Sequence, residues 1–140
     1  MPTRDHAIRI IIIRTVLLGR RILTQRGKEA DETPEQALCT MAIRLGQYEG
    51  RPMSIRDIAN ATAIPYATVD RYLKTLKKKG YIRSERVGRR VVHFLPMNTE
   101  TKASTMFYKE FDRLLSHACV QLNALNDERK SRNPPRSQNG

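Results

Sequence analysis

Three histidines, two cysteines and fourteen carboxylates are the groups from which this 140-residue chain would have to build a catalytic or metal centre. Their spacing builds none. His117 and Cys119 stand two apart in a segment that reads as helix, so their side chains diverge. His6 and His93 lie far from either cysteine in sequence. Cys39 and Cys119 have neither zinc-site spacing nor the density of a disulfide framework, and they read as buried small apolar groups in a reducing compartment. Gly27-Lys28 lacks the upstream glycine and the following Ser/Thr of a phosphate loop. With no nucleophile beside a base and no paired carboxylates, neither enzymatic activity nor a cofactor or metal site is expected.

The chemistry this chain can do is cationic. It holds 26 Lys and Arg against 14 Asp and Glu, a formal net charge of +12. Residues 51–95 concentrate it, with eleven basic and three acidic groups, whereas residues 31–50 are net acidic. Such a balance calls for an anionic partner, either nucleic acid or an anionic membrane surface. The greasiest run, Ile10 to Ile13, is closed by Arg9 and Arg14, far short of the roughly 18 apolar residues of a membrane span. Charge recurring through the same region argues against a secretory signal, and the first 28 residues lack the serines of an organellar transit peptide. A cytoplasmic location is expected.

The segment with the densest charge also has the clearest local code. Ser54-Ile55-Arg56-Asp57 is a capping box, in which the Ser54 hydroxyl satisfies the Asp57 amide and Asp57 reaches back. A short helix follows, Ala63-Ile64-Pro65 makes a turn, and a second helix begins at Pro65 or Tyr66. The small Ala59 allows the two helices to cross closely. In the second helix Val69, Tyr72, Leu73 and Leu76 form an inward stripe, leaving Ala67, Thr68, Asp70, Arg71, Lys74 and Lys78 outside.

Small residues in front and cations behind suit entry into a DNA major groove, about 12 Å wide. Tyr66, Ala67, Thr68 and Arg71 are the expected base readers, while Lys74 and Lys77 to Lys79 neutralise phosphates. Ser54 and Arg56, at the start of the first helix, complete the contact set. Asp70 either accepts from a cytosine amine or pairs with Lys74 at i+4, the pairing being favoured.

Gly80 ends that helix, and two β-rich runs around Gly88 read as a hairpin over residues 81–95. Arg83, Arg86, Arg89 and Arg90 crowd it, and Arg86, Arg89 and Arg90 are assigned to a narrow minor groove.

These motifs must be carried by further helices. Residues 3–24 read as one, with Ile10, Ile13 and Leu17 on one line and Ile8, Ile11, Ile12, Leu18 and Ile22 on a second, although four consecutive isoleucines would also suit a buried strand. Gln25 to Glu32 reads as a polar connector. Thr33-Pro34-Glu35-Gln36 opens another helix, with Leu38, Met41, Ala42, Leu45 and Tyr48 as its expected buried face and Gly50-Arg51-Pro52 as its stop. Beyond Pro96, with Asn98 or Thr99 as cap, Phe107, Phe111, Leu114, Ala118, Leu122 and Leu125 repeat at helical steps. The expected division is an N-terminal helix and connector at 1–30, a DNA-binding domain at 31–96, a C-terminal helix at 97–128 and a disordered tail at 129–140.

Residues 35–95, through Ser54 to Ala59, Ala67 to Lys74 and Gly80 to Arg83, resemble a winged helix-turn-helix domain. With helices on both flanks the chain is similar to the MarR-type bacterial transcriptional regulators. In place of the acidic residue that precedes the wing arginine in that family it has Val87-Gly88. The resemblance implies a mainly α fold with a small β wing. It also implies a homodimer joined through the terminal helices, with two recognition helices on a palindromic double-stranded operator. The two apolar stripes of the terminal helices exceed what one small domain covers, which also favours dimerisation. A small-molecule effector is left open. Two other readings share the motif: a plasmid or phage replication or partition protein binding origin repeats, and a winged-helix protein–protein adaptor.

Overall fold

Thr33 and Ser54 start two helices in the same way. Each hydroxyl accepts the amide of the third helical residue (Gln36 N–H, 3.2 Å; Asp57 N–H, 3.2 Å), and the side chain of that residue accepts the cap's own N–H at 3.0 Å. They open α2 (Pro34–Tyr48) and α3 (Ile55–Thr62). The computed structural model describes residues 3–96 and 102–132. Around those two helices it adds α1 (Arg4–Ala30), α4 (Tyr66–Lys78), strands β1 (Arg83–Val87) and β2 (Arg90–Phe94), and α5 (Lys102–Arg132). The architecture is mainly helical with one antiparallel hairpin, the winged helix-turn-helix arrangement.

The chain divides into two compact units, Met1–Gln25 with Lys102–Gly140, and Arg26–Thr101. In the first, α1 and α5 run antiparallel. Arg4 donates to Asn126 Oδ1 at 2.9 Å near one end, and Gly19 sits where a Cβ would stand 3.0 Å from the Phe111 ring. Ile11 and Phe107 are buried, while Ile10, Ile12, Ile13, Val16 and Leu17 remain exposed. The isoleucine run is therefore helical.

α1 also continues through Gln25–Ala30, where a connector was expected. Its end is set by Asp31, whose φ of 53° is left-handed, and by Glu32 N–H donating to Gly27 O at 2.8 Å. This is a Schellman-type stop with Asp at the left-handed position. Arg26 then pairs with Glu32 at 2.9 Å. At the other end of the chain α5 runs to Arg132, into the segment expected as a tail. Residues 133–140 and the expected caps Asn98 and Thr99 lie outside the described residues.

The second unit holds the core. Cys39, Ala42 and Ile43 of α2 pack with Ile58 of α3, Val69 and Leu73 of α4, and Ile64, Ile82 and Leu95 from the connections. The face of α2 differs in part from the expected one: Ala42 is buried and Leu38 packs against the core as expected. Leu45 is 46% and Tyr48 71% exposed, while Cys39, Ile43 and Gly46 are buried. The inward line is Cys39, Ala42, Ile43 and Gly46, and the chain folds back over its Gly46 end. Arg51 N–H donates to Gly46 O, and a Cβ on Gly46 would stand 2.7 Å from Arg51 O. Position 46 therefore has no room for a side chain, and the neighbouring Leu45 and Tyr48 lie outside.

β1 and β2 pair from Arg83↔Phe94 to Val87↔Arg90. Between Val87 and Arg90 lies the two-residue turn Gly88-Arg89, in which Gly88 has φ of 63°. A positive φ at the first central position is the Gly-first hairpin turn that matches strand twist. The base of the hairpin is fastened twice. His93 N–H donates to Met53 O at 3.1 Å, and the Gln47 amide both accepts from Leu95 N–H (2.8 Å) and donates to Leu95 O (3.1 Å).

Candidate nucleic-acid interface

α3 and α4 form the helix-turn-helix. Ala63 makes the turn with φ of 59°, a left-handed conformation that a small side chain tolerates most easily. Pro65 O then accepts from Thr68 and Val69 N–H to begin α4. Val69 and Leu73 are buried, with Tyr72 and Leu76 packed against the same core, as the sequence stripe requires. Opposite them Ala67, Arg71, Lys74 and Lys78 follow one another at helical steps, all exposed. Tyr66 is exposed at the helix start and Thr68 is half-buried.

A side-chain hydrogen bond ties this helix to the start of α2: the Tyr72 phenol donates to Glu35 Oε2 at 2.9 Å. Arg71 lies with its guanidinium carbon 5.7 Å from the Tyr72 ring centroid, which directs the group along the helix surface without neutralising it. Asp70 and Lys74 form the i,i+4 pair at 2.9 Å, and the Asp70 carboxylate raises the Lys74 pKa. Lys77 and Lys78 occupy the last turn, where cations also favour the helix dipole.

The four wing arginines have different surroundings. Arg83 stacks on Phe94, 4.4 Å from the centroid, and pairs with Glu85 at 3.2 Å. Arg86 Nε donates to Gly88 O at 3.3 Å, which stiffens the turn. Arg90 pairs with Asp57, the capping carboxylate of α3. Among the described residues no hydrogen bond or ion pair engages Arg89.

Strand parity explains the sorting. Cross-strand partners share a face, so Val87, Arg90 and Val92 look toward α3, whereas Arg86, Val91 and His93 look the other way. The first set, with Met53, Asp57 and Asn60, lines an open cleft of about 690 Å³. Asp57 is held ionised below its ordinary range, first by the Ser54 N–H and also by Arg90. This partnership spans 33 residues, and only the parity of position 90 hints at it in the sequence.

Of the remaining expected positions, Ser54 is half-buried with its hydroxyl engaged in the cap, and Arg56 is exposed on the first turn of α3. Cys39 is buried, and burial with Glu35 and Glu32 nearby pushes its thiol up to about 11, so it carries almost no thiolate. Cys119, expected inside, is exposed because α5 turns that side outward. Among the described residues no cluster of His, Cys, Asp or Glu is arranged to hold a metal ion, and no helix is long and apolar enough to cross a membrane.

Comparison with known proteins follows the same lines. A family model for the IclR helix-turn-helix domain matches residues 48–86. No curated protein sequence matches the chain. Among solved structures, MepR of Staphylococcus aureus, a transcription regulator of the multidrug efflux pump MepA, is similar over 94% of this chain and 93% of its own. The identity is 22% and the TM-score 0.58. A single-residue MepR variant bound to an oligodeoxyribonucleotide aligns over 95% and 94%, with 23% identity and a TM-score of 0.56. BpsR of Bordetella bronchiseptica, whose DNA binding is regulated by 6-hydroxynicotinic acid, aligns over 73% and 74%, with 22% identity and a TM-score of 0.50. At these identities the likeness establishes the winged helix-turn-helix fold.

Proposed function

We propose that this chain is a sequence-specific, double-stranded DNA-binding transcription regulator that works as a homodimer in the cytoplasm and catalyses no reaction. One observation carries the reading. Ala67, Arg71, Lys74 and Lys78 form an outward line on a helix whose other face is locked into the core, small in front and cationic behind. A helix presented in this way enters the major groove, where Tyr66, Ala67, Thr68 and Arg71 meet base edges. Lys74, Lys77 and Lys78, with Ser54 and Arg56 at the start of α3, meet phosphates. The wing supplies Arg86 and Arg89 to the adjacent minor groove. The fold neighbour MepR has been solved on an oligodeoxyribonucleotide, which supports the same use of the fold here. The BpsR precedent keeps a small-molecule effector open.

Homodimerisation rests on the apolar residues that α1 and α5 leave uncovered, Ile13, Val16 and Leu17 on one helix and Leu115 and Val120 on the other. A twofold pair would present two recognition helices about 34 Å apart, one turn of B-DNA. Selection of bound duplexes from a random library tests both parts, and the expected result is a twofold-symmetric consensus. A gel shift on random duplex at two salt concentrations separates this reading from a protein–protein adaptor, which would show no salt-sensitive binding.

A further inference from the structure

We propose that Arg90 is a positioning residue: through Asp57 it braces the wing against the start of α3, and so sets where Arg89 and Arg86 meet the nucleic acid. The proposal deepens the DNA-binding reading and rests on it. Arg90 is the first residue of β2 and directly follows the Gly88-Arg89 turn, so the brace acts one residue from the tip. Its partner cannot drift. The Asp57 oxygen that receives Arg90 is the one that accepts the Ser54 N–H at 3.0 Å, so swinging the carboxylate away would also dismantle the cap of α3.

The other polar ties of the hairpin to the helices lie at its base, through His93 with Met53 and Leu95 with Gln47. Among the described residues, Arg90 with Asp57 is the one such tie in the outer half. Val92 is the buried residue of β2 nearest the turn, and from it to Arg89 is three residues, roughly 10 Å of strand. A minor groove is only about 6 Å wide. An unbraced arm of that length would place its tip poorly relative to so narrow a target. Parity supports the same division of labour: position 90 faces α3 with Val92, away from the side that carries Arg86. The cation on the α3 side holds the wing, and those at the turn and on the opposite face of the hairpin are available for DNA.

An exposed ion pair of this kind contributes little to global stability, so variants of it should fold. The full-length chain is compared with Arg90→Gln, Arg90→Lys, Asp57→Asn and the Asp57→Asn/Arg90→Gln double variant. Asparagine keeps the oxygen that caps Ser54 and loses the charge that holds Arg90. Hydrogen exchange of residues 83–94 is followed without DNA, and binding to a random duplex is followed by fluorescence anisotropy at several salt concentrations.

The brace predicts faster exchange in 83–94 for Arg90→Gln and for Asp57→Asn. It also predicts duplex binding weakened in both by about five- to tenfold, the low end for one lost groove contact, with the double variant no worse than either single and Arg90→Lys largely restored. A direct DNA contact by Arg90 predicts the opposite for Asp57→Asn. Removing that carboxylate would free the arginine and delete a negative charge, so binding would hold or tighten while Arg90→Gln weakened it; this result overturns the proposal. Unchanged exchange in 83–94 likewise overturns the brace. Absence of salt-sensitive binding by the unmodified chain would instead bring down the DNA-binding reading, leaving the exchange data to judge the brace by itself.

Discussion

Ser84 Oγ lies 2.9 Å from Nδ1 of His93 across the hairpin, and His93, only 5% exposed, has its Nε2 buried with no hydrogen-bond partner among the described residues. Burial lowers the pKa of this imidazole below its ordinary 6.5, Lys77 of α4 lowers it further, and Asp70 of α4 opposes them in part. The ring is therefore neutral in the folded chain at pH 7. Its unfolded form takes up a proton first as pH falls, so the stabilisation is complete above about 6.5 and is lost below it, down through the folded pKa. Chemical denaturation should show a lower midpoint at pH 5.5 than at pH 7.5. His93→Gln, which does not titrate, should flatten that difference; an equal loss in both proteins would refute this origin.

The capping box of α3 makes a separate prediction about stability. Ser54→Ala removes the acceptor for Asp57 N–H, at an expected cost of about 1 kcal/mol. For a chain of 140 residues that corresponds to a fall in Tm of roughly 3–4 °C. Ser54→Asp keeps a capping acceptor and should recover most of it in thermal denaturation. Equal melting of the alanine and aspartate variants would show that the hydroxyl contributes nothing as a cap.

Arg71 and Lys78 stand on the same exposed line of α4 but are assigned different tasks. Arg71→Ala should cost about 1–3 kcal/mol on a selected operator and much less on random duplex, relaxing specificity. Lys78→Ala should weaken both sequences alike and reduce the salt slope by about one. Competition binding on the two duplexes across a salt series reads both effects. Equal losses on operator and random DNA for Arg71→Ala would remove its role in base reading.

These tasks could be assigned at all because the helix-turn-helix is written locally. The boxes at Thr33 and Ser54, the Val69-Tyr72-Leu73-Leu76 stripe, the Gly88 turn and the Asp70–Lys74 pair each involve residues within a few positions of one another, and each is found where the sequence places it. What the sequence hides depends on distant parts of the chain. The inward face of α2 follows Gly46 and its close approach to Arg51, against the lure of the larger Leu45 and Tyr48. The continuation of α1 depends on a left-handed Asp31, which carries no glycine signal. The engagement of Arg90 by Asp57 crosses 33 residues, so a cluster of four wing arginines reads as one patch until the fold gives each its own neighbour.

The apolar line Ile10, Ile13 and Leu17 is 46%, 57% and 65% exposed, a surface that water solvates poorly and that the chain itself does not cover. Burying the exposed half of each side chain against a partner would contribute roughly 1–1.5 kcal/mol, and a twofold interface repeats every such contact. Ile13 and Leu17 are four residues apart on one face, so the double substitution Ile13→Glu/Leu17→Glu would set four carboxylates into a shared interface. Light scattering after size exclusion should give twice the 16.1 kDa chain mass for the unmodified protein and close to the single mass for the variant. Helical circular dichroism should be retained, because both positions are exposed in the single chain. Affinity for a two-half-site duplex should fall far more than affinity for a single half-site, since only the former uses both recognition helices at once. A variant that keeps the doubled mass would place the subunit contact elsewhere, and an unmodified chain that runs at 16.1 kDa at tens of micromolar would refute the homodimer.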